Sequence, residues 1–108
     1  MQRFTPKQLA EYLRVCESPP LLLDVREPWE FARCHIAGSE LIPMQQIPPA
    51  VEQAQLEPGH EIVVICHHGI RSRQVAYYLE QLGFTKLINL EGGVEAWAQD
   101  VDPTMERY

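Results

Sequence analysis

The chain has 108 residues, enough for one hydrophobic core that needs no disulfide or metal staple. Hydrophobic residues make up 45% and charged residues 22%, a globular composition rather than a disordered one. With 15 Asp and Glu against 9 Lys and Arg the net charge is -6, which argues against the basic face of a nucleic-acid binder.

Residues Met1-Gln2-Arg3-Phe4 carry no apolar leader segment, so no secretory signal is expected. Thr5 then reads as a helix N-cap, with Pro6 at the first helical position and Gln8 completing a capping box. Leu9, Tyr12, Leu13 and Cys16 follow at helical spacing, and Pro19-Pro20 ends the run. Leu21–Val25 is apolar without alternation, the pattern of a strand covered on both faces in a parallel sheet. Pro28 opens a short helix through Phe31, with Glu30 near its start. Leu41-Ile42 reads as a brief strand, and residues 44–56 stay ambiguous because Pro48-Pro49 interrupts a helical pattern.

Ile62–Ile65 is β-branched throughout and is the strongest strand signal. The apolar run that holds it, Ile62–Cys66, is far too short to cross a bilayer, so no membrane is expected as a partner. A polar loop follows, Cys66-His67-His68-Gly69-Ile70-Arg71, and Ser72 is expected to cap a helix whose Val75, Leu79 and Leu82 form one apolar face. Gly83 stops that helix, Leu87–Leu90 is another buried strand, and Gly92-Gly93 turns into a last helix, Val94–Ala98. The tail, residues 100–108, is expected to be irregular. Strands alternating with helices imply an α/β architecture with a mostly parallel sheet, in which ligands bind at the carboxyl ends of strands. The loop at Cys66 occupies such an end.

Three cysteines, Cys16, Cys34 and Cys66, are an odd number at irregular spacing and do not form a disulfide framework. A reduced, cytoplasmic setting is expected. Cys66 ends a strand and precedes a helix, so loop N–H groups and the helix N-terminus make an anion-binding concavity. The same field favours a thiolate, the nucleophilic form. Between Ile62 and Leu79 there is no Asp or Glu, while His67, His68, Arg71 and Arg73 are present, so a local positive patch is expected. The adjacent Cys34-His35 and Cys66-His67-His68 lack zinc-ligand spacing, and no metal is expected. Trp29 and Trp97 read as packing aromatics.

Three segments, residues 23–31 with 35–39, residues 66–72 and residues 90–97, together resemble a known family, the single-domain rhodaneses, or thiosulfate sulfurtransferases. Leu23-Asp24-Val25-Arg26-Glu27-Pro28-Trp29-Glu30-Phe31, with His35-Ile36-Ala37-Gly38-Ser39, is similar to the family's first signature. Cys66-His67-His68-Gly69-Ile70-Arg71-Ser72 is similar to its active-site loop, and Leu90-Glu91-Gly92-Gly93-Val94-Glu95-Ala96-Trp97 to its C-terminal signature. The resemblance implies one rhodanese-like domain over residues 1–108, with a five-stranded, mostly parallel sheet flanked by helices on both faces. It implies that Cys66 accepts a sulfane sulfur from a small anionic donor such as thiosulfate. The persulfide then passes that sulfur to cyanide or a thiol, including a protein thiol. Loop groups of His67, His68, Gly69, Ile70 and Ser72 would cradle the persulfide, Arg71 would face the donor, and Asp24 with Arg26 would support the strand end. Neither cofactor nor metal is implied. Cys34 departs from the family's usual glycine and reads as a small packed residue, with a resolving thiol as the alternative. Two other readings stand beside the enzyme. One is a cysteine-based phosphatase or arsenate reductase, whose loops put five residues between Cys and Arg where this chain has four. The other is a protein-binding module with weak activity.

Overall fold

The computed structural model describes residues 1–108. Five strands form one parallel sheet: β1 (Gln2–Phe4), β2 (Leu21–Asp24), β3 (Glu40–Leu41), β4 (Ile62–Ile65) and β5 (Leu87–Leu90), in the order β1-β5-β4-β2-β3. Five helices connect them: α1 (Pro6–Val15), α2 (Pro28–Arg33), α3 (Ile47–Glu52), α4 (Ile70–Gln81) and α5 (Gly93–Asp100). A 3-10 turn at Met44–Gln46 precedes α3.

The Thr5 capping box forms as its sequence dictates. Gln8 N–H donates to Thr5 Oγ1 at 3.2 Å, and Thr5 N–H donates to Gln8 Oε1 at 2.8 Å. Pro48 and Pro49 sit in the first turn of α3, where a missing N–H costs no helical hydrogen bond. β1 has no counterpart in the sequence reading. It is a short edge strand whose Gln2 and Arg3 are exposed, so hydropathy gave no signal, and only pairing with β5 reveals it.

Side-chain alternation divides the core into two layers. Leu23, Val25, Ile62, Val64 and Cys66 pack with Val75, Ala76 and Leu79 of α4 and with Ile47 and Ala50 of α3. Leu22, Val63, Ile65, Ile88 and Leu90 pack on the other face with Leu9 of α1 and with Val94 and Trp97 of α5. All four residues of β4, the central strand, are fully buried, each apolar side chain contributing roughly 1.5–3 kcal/mol. Two packing expectations are corrected. Leu82 follows the last turn of α4 and is exposed. Trp29 is 59% exposed, touching Tyr108 edge-on, whereas Trp97 is buried as expected.

The carboxyl ends of β2, β4 and β5 open on one side of the sheet. The segments that follow them, starting at Val25, Cys66 and Glu91, form the candidate site.

Candidate active site

Cys66 directly follows β4 and is 1% exposed. The chain reverses within three residues because Gly69 adopts φ +98°, a left-handed conformation that costs a side-chain-bearing residue about 1–2 kcal/mol. That turn brings the Gly69 N–H to 3.0 Å from the Cys66 sulfur. A donor aimed at sulfur stabilises it most when it is charged. α4 starts at Ile70, so Ile70, Arg71 and Ser72 supply first-turn N–H groups that have no partner within the helix.

Ser72 does not cap α4; Gly69 occupies that position. The Ser72 side chain turns inward instead and is completely buried. Its hydroxyl accepts from the Cys66 thiol at 3.3 Å and donates to Asn89 Oδ1 at 2.5 Å. Asn89 Nδ2 in turn donates to the Glu91 carboxylate and, at 3.5 Å, to the Gly69 carbonyl. Asn89 shares its face of β5 with Leu87, which is why it reaches the α4 side. No local pattern pointed to Asn89, since it lies 17 residues beyond Ser72.

A second helix pins the loop from behind. The Val94 and Glu95 N–H groups of α5 donate to the Cys66 and His67 carbonyls at 2.9 and 3.1 Å. Gly93 makes this approach possible. A Cβ added there would lie 2.3 Å from the Cys66 carbonyl oxygen and 2.4 Å from that of His67, on a backbone at φ +60°. Gly93→Ala is therefore expected to destabilise the fold by roughly 2–4 kcal/mol, combining left-handed strain with overpacking. It is also expected to slow reaction at Cys66, because the displaced atoms belong to the cysteine's own peptide. Urea unfolding and thiol alkylation rates check both. Wild-type values in the variant would mean that α5 shifts without disturbing the loop.

Of the expected positive patch, Arg71 is neutralised across the fold. Arg71 Nη1 and Nη2 each bind Glu30 at 2.8 Å, a bidentate pair whose Glu30 side chain is 5% exposed. Glu30 was legible only as an acid near a helix start; its partner is 41 residues away in sequence. Arg71 therefore does not face the site as a free cation. The Arg71 fork holds the Glu30 carboxyl down to about 2, with burial opposing and the Glu27 N–H and Tyr108 hydroxyl assisting. Unfolded, the group titrates near 4.5, so it stabilises the fold above that pH and loses the effect as pH falls toward about 2. Wild-type stability is expected to drop more steeply over that window than stability of Glu30→Gln, as measured by urea unfolding at a series of pH values. Parallel profiles would remove Glu30 from the acid response.

Asp24 and Arg26 are both completely buried. Arg26 Nε and Nη2 donate to the Asp24 carboxylate at 2.9 and 2.7 Å. Nη2 also reaches the Cys34 carbonyl at 2.7 Å, and Nη1 reaches the Tyr108 hydroxyl at 2.7 Å. That hydroxyl donates to Glu30 at 2.8 Å. Tyr108 also stacks on His67, with ring centroids 3.9 Å apart and planes at 8°. The irregular tail thus ends in a residue built into the site, which nothing in its sequence indicated. His67 lies between Tyr108 and His68, its Nε2 buried without a partner. Burial, then the neighbouring His68, lowers the pKa of His67 and favours the neutral ring. The side chains of His68 and Ile70 are exposed. Cys34 packs in the layer of α1 and α5, whereas Cys66 belongs to the layer of α3 and α4.

A family model for the rhodanese-like domain matches residues 5–100. The thiosulfate sulfurtransferase GlpE of Pseudomonas aeruginosa is 38% identical over 96 residues, covering 89% of this chain and 83% of that protein. The probable adenylyltransferase/sulfurtransferase MoeZ of Mycobacterium tuberculosis is 34% identical over 104 residues, and the matched part is 26% of its length. The crystal structure of a rhodanese-like domain protein from Staphylococcus aureus superposes with a TM-score of 0.82 at 31% identity, covering 100% of this chain and 99% of that one. The matched span takes in the Cys66 turn, the Asp24 and Arg26 pair and the Gly92-Gly93 turn alike, and on this ground the chain belongs to the rhodanese-like domain family.

Proposed function

We propose that the protein is a sulfurtransferase that works through a persulfide on Cys66. The observation that carries this reading is the buried sulfur at the strand end, met by the Gly69 N–H at 3.0 Å, at the start of α4. The relatives named as sulfurtransferases support the same assignment. The Cys66 thiolate attacks the sulfane sulfur of a donor such as thiosulfate. The donor's sulfur–sulfur bond breaks, and its electron pair leaves with the departing group. An acceptor, cyanide or a thiol, then attacks the outer sulfur and releases the Cys66 thiolate.

In this reading the loop from His67 to Ser72 holds the persulfide mainly through backbone N–H groups. Gly69 shapes the turn, Ile70, Arg71 and Ser72 present first-turn donors, and the Ser72 hydroxyl receives the sulfur side chain. Asp24 and Arg26 support the loop by fixing the end of β2 and Tyr108. The depth of Cys66 suits transfer of a single sulfur atom, because a partner must present its terminal atom to reach the thiol. A phosphatase is disfavoured because its arginine must bind the oxyanion, and Arg71 is already engaged by Glu30.

The test is intact-mass measurement after incubation with thiosulfate, glutathione persulfide or 3-mercaptopyruvate in parallel. The expected result is a gain of one sulfur atom on Cys66, removed by cyanide. Absence of that gain with every donor would leave the binding-module reading in its place.

A further inference from the structure

The charged side chains around Cys66 are paired with one another. Glu30 accepts four hydrogen bonds: two from Arg71, one from the Tyr108 hydroxyl and one from the Glu27 N–H, each at 2.8 Å. A carboxylate offers about four acceptor sites, so Glu30 is saturated and fixed in place. Withdrawing Arg71 from it would leave a buried carboxylate without its counter-charge. Arg26 is likewise neutralised by Asp24. Arg73 makes no ion pair, but it lies exposed on α4, where solvent and salt screen it. Glu91, held through Asn89, adds a further carboxylate beside the loop.

The two donor classes differ in the charge they bring. Thiolate attack on thiosulfate gathers three negative charges, one from Cys66 and two from the dianion, and ends with a persulfide anion and sulfite. Attack on a thiol persulfide, R–S–SH, gathers one. There the Cys66 lone pair bonds the outer sulfur, the donor's sulfur–sulfur bond breaks, and R–S⁻ leaves with its electron pair while Cys66 carries S–SH. Loop N–H groups can offset one negative charge. Three call for a free cation, and Arg71, the cation that the resemblance assigns to the donor, is occupied by Glu30.

We propose that Glu30 is a specificity determinant that turns the site toward sulfane sulfur carried on a thiol and away from the thiosulfate dianion. The proposal rests on the sulfurtransferase reading above. Glu30→Gln keeps the side chain's size and releases the charge of Arg71. It is expected to raise the ratio of thiosulfate to glutathione-persulfide loading rates by about tenfold or more, the effect of one charge-assisted hydrogen bond. Rates are read as single-turnover sulfur gain on Cys66 by intact mass. The double variant Glu30→Leu/Arg71→Met removes both charges with apolar groups of similar bulk and guards against misfolding of the single variant. Its ratio is expected to stay within about threefold of wild type, because a neutralised pair contributes little to dianion binding. An unchanged ratio in Glu30→Gln overturns the proposal. So does a tenfold selective loss of thiosulfate loading in the double variant, which would mean that Arg71 binds the donor despite Glu30. Failure of wild-type protein to gain sulfur from either donor is a different result, and it overturns the sulfurtransferase reading itself.

Discussion

Cys66→Ser is expected to lower sulfur loading by at least about a thousandfold while the fold persists. The hydroxyl is smaller than the thiol but fills the same direction, between the Gly69 N–H at 3.0 Å and Ser72 Oγ at 3.3 Å. Both neighbours hydrogen-bond oxygen at least as well as sulfur, so a stability change within about 1 kcal/mol is expected. Reactivity is another matter. An alcohol needs a base to become a nucleophile, and the site offers none in position. The Ser72 hydroxyl is already donating to Asn89, and the His67 ring is held flat against Tyr108. Single-turnover loading followed by intact mass, with circular dichroism as the fold control, checks both parts. Loading within tenfold of wild type would move the reacting group elsewhere, with Cys34 and Cys16 next to be replaced.

Arg26→Ala is expected to cost about 3–5 kcal/mol, the usual penalty for leaving one member of a buried ion pair alone. Asp24 would stay at zero exposure with its principal donor gone. The damage extends beyond the pair, because Arg26 joins the end of β2 to the Cys34 carbonyl and to the Tyr108 hydroxyl. Through Tyr108 it also steadies Glu30, and through Glu30 the Arg71 end of the active loop. Chemical denaturation gives the stability loss directly. Loosening of the loop should appear as a change in Cys66 alkylation under conditions where the variant remains folded. Replacing both partners by apolar residues, Asp24→Leu/Arg26→Met, is expected to recover much of the stability, since it removes both buried charges together. Recovery of loop order should be poorer, because the links to Cys34 and Tyr108 remain broken. A single variant as stable as wild type would mean that water reaches Asp24.

Elements whose signals are local were legible in the chain itself. The capping box at Thr5, the β-branched run of β4 and the glycine stops each depend on neighbours within about four residues. The resemblance of three segments extended that reading to the parallel sheet and to the family. The cap expected at Ser72 is absent for a physical reason. A serine near a helix start has two uses, capping the helix or facing inward, and Gly69 holds the cap position, which leaves Ser72 in the first turn to face inward. The ambiguous stretch at residues 44–56 resolved into a 3-10 turn and α3, because prolines are tolerated in a first turn and nowhere later.

The sequence by itself determined the order of β2 to β5 and of α1, α2, α4 and α5, the position of Cys66 at a strand end and the glycine that turns the loop. Each of these follows from short-range backbone preference and hydropathy. Only the tertiary structure decided the charge of the site. Glu30 comes from α2, Arg71 from α4 and Tyr108 from the end of the chain, separated from one another by 37 to 78 residues. Read along the chain, residues 62–79 form a basic stretch; folded, their inward arginine is matched by a carboxylate from another element. Charges act across space, with no regard for position along the chain, so the pairing of Glu30 with Arg71 is fixed by packing alone.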